Sequence, residues 1–86
     1  MYRLIFTDRA LKSLKSIPKR DAEKVIEQLQ ELAKSPNSNS NVKCLQNHLR
    51  AVYRLRIGNY RVLFNKYKEL EVLEVVDVGH RRDIYL

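Results

Sequence analysis

The spacing of apolar residues changes from a helical period to a period of two about half-way along the chain. A short apolar segment at residues 2–6 is typical of a strand. Thr7 or Asp8 then supplies an N-cap, and apolar residues at helical spacing predict a first short helix over residues 10–17. Pro18 suits the first turn of a second helix. The apolar stripe of that helix consists of Ala22, Val25, Ile26, Leu29, Leu32 and Ala33.

Beyond a Ser/Asn-rich loop at residues 35–41, the pattern is that of strands. Residues 51–57 alternate between apolar and polar, Gly58-Asn59 predicts a tight turn, and residues 60–66 form the second arm of a hairpin. Six of the nine residues at 70–78 are apolar, and they fall on both sides of the predicted strand. A strand of this kind is buried on both faces, so it should lie in the middle of the sheet.

This order predicts an α+β fold with one strand, two helices and then a three-stranded antiparallel meander, in which the helices pack on one face of the sheet. With 86 residues, a single domain over residues 1–86 is expected. Period two places Arg54 and Arg56 on the same side of their strand, and the next strand can present Arg61 beside them. The face away from the helices should therefore be lined with arginine.

The distribution of charge supports this prediction. The chain has a formal net charge of +7. Between Glu31 and Glu69 there are basic residues and no acidic ones. The basic residues are Lys34, Lys43, Arg50, Arg54, Arg56, Arg61, Lys66 and Lys68. Such a segment attracts polyanions, for which RNA, DNA and an acidic protein are the candidates.

Other classes of protein are disfavoured. There is no secretory signal segment and no apolar segment long enough to cross a membrane, so we expect a cytoplasmic protein without membrane contact. The single cysteine, Cys44, cannot form an intrachain disulfide and lacks the partners of a zinc site, and we expect it to be buried. We expect no metal and no cofactor.

A group of arginines next to aromatic residues suits RNA. The planar guanidinium fork binds phosphate oxygens in pairs and stays charged, and an aromatic ring can stack on an unpaired base. Arg81, His80 and Tyr85 follow the last strand and could join Arg54, Arg56 and Arg61 in one pocket.

Two segments carry a resemblance to a known family. YRLRIGNYRVLF at residues 53–64 and VGHRRDIY at residues 78–85 resemble the C-terminal half of RelE-type toxins of bacterial and archaeal toxin–antitoxin systems. The resemblance implies a RelE-like fold and a ribosome-dependent endoribonuclease that cuts mRNA in the ribosomal A site and so inhibits translation. It also implies a cognate RelB-like antitoxin that neutralises the toxin, and contact with operator DNA only through that antitoxin.

The resemblance assigns roles to individual residues. Arg61 and Arg81 match the catalytic arginines of the family, and Tyr85 matches the tyrosine that stacks on the target base. Arg54 and Arg56 stand where well-studied members carry lysines. The residues expected to bind RNA phosphates are Lys43, Arg54, Arg56 and Arg82.

The expected reaction is metal-independent attack of the ribose 2′-OH on the adjacent phosphorus, giving a 2′,3′-cyclic phosphate and a free 5′-OH. It needs a base, an acid and cations that stabilise the phosphorane. Arginine is a poor base because it stays protonated at neutral pH. Proton transfer should therefore fall to His80 or Tyr85.

Two other functions remain open. ParE-like relatives share the fold but inhibit DNA gyrase and lack the catalytic residues. An inactive toxin that acts with its antitoxin as a transcriptional co-repressor would also have a basic surface. Both alternatives predict no cleavage of mRNA on ribosomes.

Overall fold

A computed structural model of the chain describes residues 1–36, 41–46 and 50–82. These ranges contain two helices and five strands. In chain order they are β1 (Arg3–Phe6), α1 (Asp8–Ser16), α2 (Lys19–Lys34), β2 (Val42–Cys44), β3 (Tyr53–Ile57), β4 (Tyr60–Tyr67) and β5 (Val72–His80). The predicted α+β fold is confirmed.

The strands form one mixed sheet in the order β1-β5-β4-β3-β2. The pairs β5–β4, β4–β3 and β3–β2 are antiparallel, whereas β1 is parallel to β5. The meander of β3, β4 and β5 was predicted, as was the position of β5 inside the sheet. β2 was not predicted, because only three residues pair with β3 at the sheet edge.

Both helices form where the apolar spacing places them. The side chain of Thr7 caps α1 by accepting a hydrogen bond from the backbone N–H of Ala10 at 3.1 Å. Pro18 is the N-cap residue of α2, one position before the helical turn in which it was expected. The buried face of α2 packs with one face of the sheet in the main core. The largest fully buried side chains of this core are Val25, Leu29, Leu32, Leu55, Leu73, Val62 and Val75.

The opposite face of the sheet, here called the open face, has a smaller apolar cluster. Leu63 and Val76 pack there with Ala51, and partly buried Leu45 packs against them. Val76 is the extra residue of a bulge, because Leu63 pairs with Asp77 and Phe64 with Val75. Ala51 and Leu45 belong to the connection between β2 and β3, so this connection covers the middle of the open face.

The edge of β5 is shared between β1 and α1. β1 pairs only with the first part of β5, from Val72 to Val75. Beyond it, the hydroxyl of Thr7 donates to the carbonyl of Val76 at 2.9 Å. Arg9 and Ser13 of α1 bind the carboxylate of Asp77 at 3.0 and 2.9 Å. Helix α1 is thus fixed to the half of β5 that leads to the C-terminal segment.

Other expectations have different outcomes. Cys44, expected to be buried, is exposed because it lies on the edge strand β2. Residues 37–40 of the predicted loop and the last four residues, 83–86, lie outside the described residues. No helix in the described ranges is long and apolar enough to cross a membrane.

Candidate functional site

The β3–β4 hairpin brings the predicted arginines together. Arg56 pairs with Arg61, and Arg54 pairs with Leu63 on one side and with Lys43 of β2 on the other. Directly paired residues share a face of the sheet, so all four basic side chains belong to the open face. Gly58 allows the tight turn because its φ of 57° lies in the left-handed region. We call Lys43, Arg54, Arg56 and Arg61 the arginine cluster.

Part of this positive charge is buried without an ion-pair partner among the described residues. Arg54 has only 9% of its surface exposed. Burial, and then the nearby charges of Arg61 and Arg56, lower the pKa of Arg54 below its usual value. The Nε atoms of Arg54 and Arg61 are buried and have no hydrogen-bond partner within the described ranges. The cluster therefore favours the binding of an anion that supplies oxygen acceptors.

The turn after β5 is attached to the turn before β4. The backbone N–H of Arg81 donates to the carbonyl of Asn59 at 2.8 Å. Arg81 and Arg82 are both exposed. The backbone of Arg81 is therefore held beside the start of β4, close in sequence to Arg61. Tyr85, which was also expected at this site, lies outside the described residues.

His80 is not brought together with the arginine cluster. It pairs with Tyr60, while the preceding residue Gly79 pairs with Arg61. Because successive residues of a strand point to opposite faces, His80 and Arg61 lie on opposite faces of the sheet. The rings of His80 and Tyr60 meet edge to face with centroids 5.8 Å apart. The expectation that His80 stands beside the arginines is therefore corrected by the register of β4 and β5.

His80 instead belongs to a polar region on the helix side. The Tyr60 hydroxyl donates to the Asp21 carboxylate of α2 at 2.6 Å, and this hydrogen bond is the main cause of a raised Tyr60 pKa. Nδ1 of His80 accepts from the backbone N–H of Arg82 at 3.3 Å. A cleft of about 400 Å³ lies between Asp21 and His80. Sequence reasoning missed the Tyr60–Asp21 contact, since the two residues are far apart in the chain.

The described residues contain no group of three or more His, Cys, Asp or Glu side chains that could hold a metal ion. The chemistry that the arrangement supports is recognition of phosphate by guanidinium groups.

Comparison with known families identifies the chain. The sequence model of the family described as "ParE toxin of type II toxin-antitoxin system, parDE" matches residues 4–85. The chain belongs to this family of toxins. The search of curated protein sequences found no significant match.

Solved structures of RelE proteins are similar to this toxin. The toxin–antitoxin complex RelBE2 from Mycobacterium tuberculosis contains a chain that is 28% identical, with a TM-score of 0.80, and the match covers 93% of this chain and 98% of that one. The isolated E. coli RelE toxin is 27% identical, with a TM-score of 0.75, and the match covers 93% of this chain and 84% of that one. The matching chain of the intact E. coli RelBE complex is 26% identical, with a TM-score of 0.74, and the match covers 93% of this chain and 96% of that one. The resemblance to RelE-type toxins of the RelE/ParE superfamily is confirmed.

Proposed function

We propose that this toxin is a ribosome-dependent endoribonuclease that cleaves mRNA in the A site without a metal ion and so inhibits translation. The observation that carries the proposal is the arginine cluster, in which buried guanidinium nitrogens of Arg54 and Arg61 lack a partner among the described residues. A site of this kind is suited to an RNA phosphate, which brings several acceptor oxygens and negative charge.

In the proposed mechanism, the ribose 2′-OH gives up its proton to a base as its oxygen attacks the adjacent phosphorus, the bond from phosphorus to the 5′ oxygen breaks, and the 5′ oxygen takes up a proton from an acid. Arg61 and Arg81 stabilise the negative charge that develops on the phosphorane. Lys43, Arg54, Arg56 and Arg82 hold the flanking phosphates. Tyr85 stacks on the target base or transfers a proton. The products are a 2′,3′-cyclic phosphate and a free 5′-OH.

His80 has a different place in this proposal because it lies on the other face of the sheet from Arg61. Through its hydrogen bond to the N–H of Arg82, His80 acts as a positioning residue for the turn that carries Arg81. A His80→Gln variant should then lower the cleavage rate without removing a limb of the pH profile. Loss of one limb would instead make His80 the acid or base.

The proposed partners are the ribosome, mRNA and a cognate antitoxin. The related complexes from Mycobacterium tuberculosis and E. coli contain a RelE toxin together with an antitoxin. An antitoxin that inhibits this chain has to cover its positive surface, so it should present acidic residues to the arginine cluster. Operator DNA would be contacted through the antitoxin.

The test is primer extension on an mRNA held in programmed ribosomes, with the wild-type chain, Arg61→Ala and Arg20→Ala. Arg20 is an exposed arginine of α2, outside the arginine cluster, so it is the matched control. We expect cuts within the A-site codon that require ribosomes, persist in Arg20→Ala and fall about 100-fold or more in Arg61→Ala. Absence of cuts from the wild-type lane would reject the proposal.

Inhibition of DNA gyrase is the second candidate, because the family model that matches residues 4–85 is named for ParE. Phosphate-binding arginines also suit a surface that contacts a DNA-bound enzyme. A supercoiling assay with purified gyrase separates the two functions. Inhibition of supercoiling without cleavage of mRNA would favour the gyrase function, and inhibition by Arg61→Ala equal to that of the wild type would show that the cluster is not involved.

A further inference from the structure

Tyr60 connects three parts of the molecule at the tip of the β3–β4 hairpin. Its hydroxyl donates at 2.6 Å to the carboxylate of Asp21, which lies in the first turn of α2. The ring of Tyr60 packs against the main core and meets the ring of His80 edge to face, with the two centroids 5.8 Å apart. The backbone of Tyr60 directly follows the turn at Gly58 and Asn59. Tyr60 is therefore attached to α2, to the end of β5 and to the hairpin turn at once.

The turn after β5 is held at the same place. The backbone N–H of Arg81 donates to the carbonyl of Asn59 at 2.8 Å, and the N–H of Arg82 donates to Nδ1 of His80 at 3.3 Å. The first acceptor belongs to the residue immediately before Tyr60, and the second belongs to the ring that lies against Tyr60. A displacement of Tyr60 would therefore move both acceptors that hold the turn of Arg81.

Arg61 depends on Tyr60 from the other face of the sheet. It follows Tyr60 in β4 and pairs with Gly79, and its side chain belongs to the open face. The Nε atom of Arg61 is buried and has no hydrogen-bond partner in the part of the chain that the structure describes. Since no hydrogen bond among those residues orients Nε, the place of this side chain depends on the backbone that carries it.

We propose that Tyr60 and Asp21 are positioning residues for the reaction, and that their hydrogen bond fixes the separation of Arg61 and Arg81. This proposal rests on the proposed function, in which the two arginines stabilise the phosphorane. Such stabilisation requires that the cations are in place before the charge develops, and a displacement of about 1 Å can cost about 100-fold in rate. Tyr60 and Asp21 lie on the helix side of the sheet, away from the arginine cluster, so neither would touch the RNA.

Tyr67 supplies a matched control. It lies at the opposite end of the same strand, and its hydroxyl donates to the carboxylate of Glu74 at 3.2 Å. Tyr60→Phe and Tyr67→Phe therefore each remove a hydroxyl from a carboxylate, but only Tyr60 is next to Asn59 and Arg61. A general effect of losing a tyrosine hydroxyl from β4 should appear in both variants.

The first test measures cleavage of mRNA on programmed ribosomes in a single turnover, with the toxin in excess at a series of concentrations. We expect Tyr60→Phe to lower the maximal rate by about 10- to 100-fold, with no change in the toxin concentration that gives half of this rate. Tyr67→Phe should cleave as the wild type does. A maximal rate for Tyr60→Phe equal to that of the wild type would overturn the proposal, and so would an effect on the half-saturating concentration alone.

A double-mutant cycle assigns the effect to the hydrogen bond. Asp21→Ala removes the acceptor and should lower the maximal rate as Tyr60→Phe does, and the double variant should be no slower than either single variant. Urea denaturation at the assay temperature establishes that each variant is folded, so that a lower rate does not reflect a smaller folded fraction. Additive losses would show that the two residues act separately, which contradicts the proposal.

Amide hydrogen exchange tests the positioning without any cleavage. The N–H of Arg81 binds the carbonyl of Asn59, whereas the N–H of Leu11 makes a backbone hydrogen bond at the start of α1 and serves as the reference. In the free chain, Tyr60→Phe should raise the exchange rate of the Arg81 amide relative to that of Leu11, and Tyr67→Phe should not. An equal rise at both amides would reflect lower global stability and would overturn the proposal.

The two tests separate this proposal from the proposed function. If the wild-type chain makes no cuts on ribosomes but the Arg81 amide responds to Tyr60→Phe alone, the proposed function fails and the placement of the Arg81 turn by Tyr60 stands. If cleavage is observed and Tyr60→Phe has the maximal rate of the wild type, the positioning role alone is rejected.

Discussion

Arg56 and Arg61 lie directly opposite each other across β3 and β4. Like charges at paired positions of neighbouring strands destabilise a sheet, so this pair works against folding in the free chain. An RNA phosphate placed between the two guanidinium groups would turn the repulsion into two attractive contacts. The pair therefore carries a local cost in stability, which a phosphate bound as proposed would offset.

Arg56→Gln should increase the stability of the free chain. The substitution removes one of two opposed charges while Arg56 is exposed and little packing is lost. We expect the free energy of unfolding to rise by about 0.2–1 kcal/mol in urea denaturation at low salt. Arg20→Gln, an exposed arginine of α2, is the control and should have little effect. A less stable Arg56→Gln chain would disagree with a repulsive pair.

Arg54→Met should also stabilise the free chain, on the order of 1 kcal/mol, because Arg54 is a buried charge whose Nε has no partner in the described part of the chain. The pKa of Arg54 is lowered in the folded state, so folding disfavours its protonated form. This cost is constant at every pH below the folded-state pKa and is relieved only above it. Changing the pH from roughly 5 to 9, where arginine stays protonated, therefore should not remove the difference between the two chains.

A bound anion should reduce the free-energy cost of burying the charged Arg54 side chain, whereas a change of pH between roughly 5 and 9 should not. Sulfate at the same ionic strength as chloride should raise the melting temperature of the wild type more than that of Arg54→Met. Comparing the two chains removes the general stabilisation that sulfate gives to any protein. Equal shifts in both chains would show that Arg54 does not contribute to anion binding.

Tyr60 should titrate at higher pH than an ordinary tyrosine. Its hydrogen bond to Asp21, its burial and the Asp21 charge all favour the neutral phenol and raise its pKa. A raised folded-state pKa gives stability that is complete below about pH 10 and is lost as the pH rises through the folded-state value. The wild type should therefore lose more stability at alkaline pH than Tyr60→Phe does.

Tyrosinate absorbance checks the titration of Tyr60 directly. Tyr67 also has a raised pKa, caused first by the charge of Glu74. The measurement is therefore made on a Tyr67→Phe background, in which Asp21→Asn should move the late component to lower pH. A late component unchanged by Asp21→Asn would assign the shift to another group.

The sequence predicted the helices and the β3–β4–β5 meander because each has a continuous periodic pattern. β2 has only three residues, and its pairing with Tyr53, Arg54 and Leu55 joins segments that no local pattern connects. The exposure of Cys44 follows from the same edge position.

The alternation of side chains along a strand predicted which arginines of the site share a face of the sheet. Arg54, Arg56 and Arg61 share a face because their strands form a hairpin. His80 was expected beside them because it is next to Arg81 in the chain, yet β5 continues to His80 and so directs it to the opposite face. The burial of Arg54 depends on how distant segments pack on the sheet, and the local sequence pattern around Arg54 does not predict that packing.

Asp77 should be important for stability because it joins α1 to the end of β5. Its carboxylate accepts from Arg9 at 3.0 Å, from Ser13 at 2.9 Å and from the N–H of Val78 at 2.9 Å, and only 8% of Asp77 is exposed. Asp77→Ala removes a charged acceptor from all three donors and should lower the free energy of unfolding by about 1.5–3 kcal/mol in urea.

Arg9→Ala is the matched partner variant in this measurement. The Arg9 side chain is 60% exposed, so its ion pair with Asp77 is screened and should contribute about 1 kcal/mol or less. If the two variants cost the same, the exposed ion pair would be the whole interaction and the contacts to Ser13 and Val78 would contribute nothing. A larger cost for Asp77→Ala would show that the buried acceptor, which no charge pattern in the sequence indicates, holds α1 against the strand that leads to Arg81.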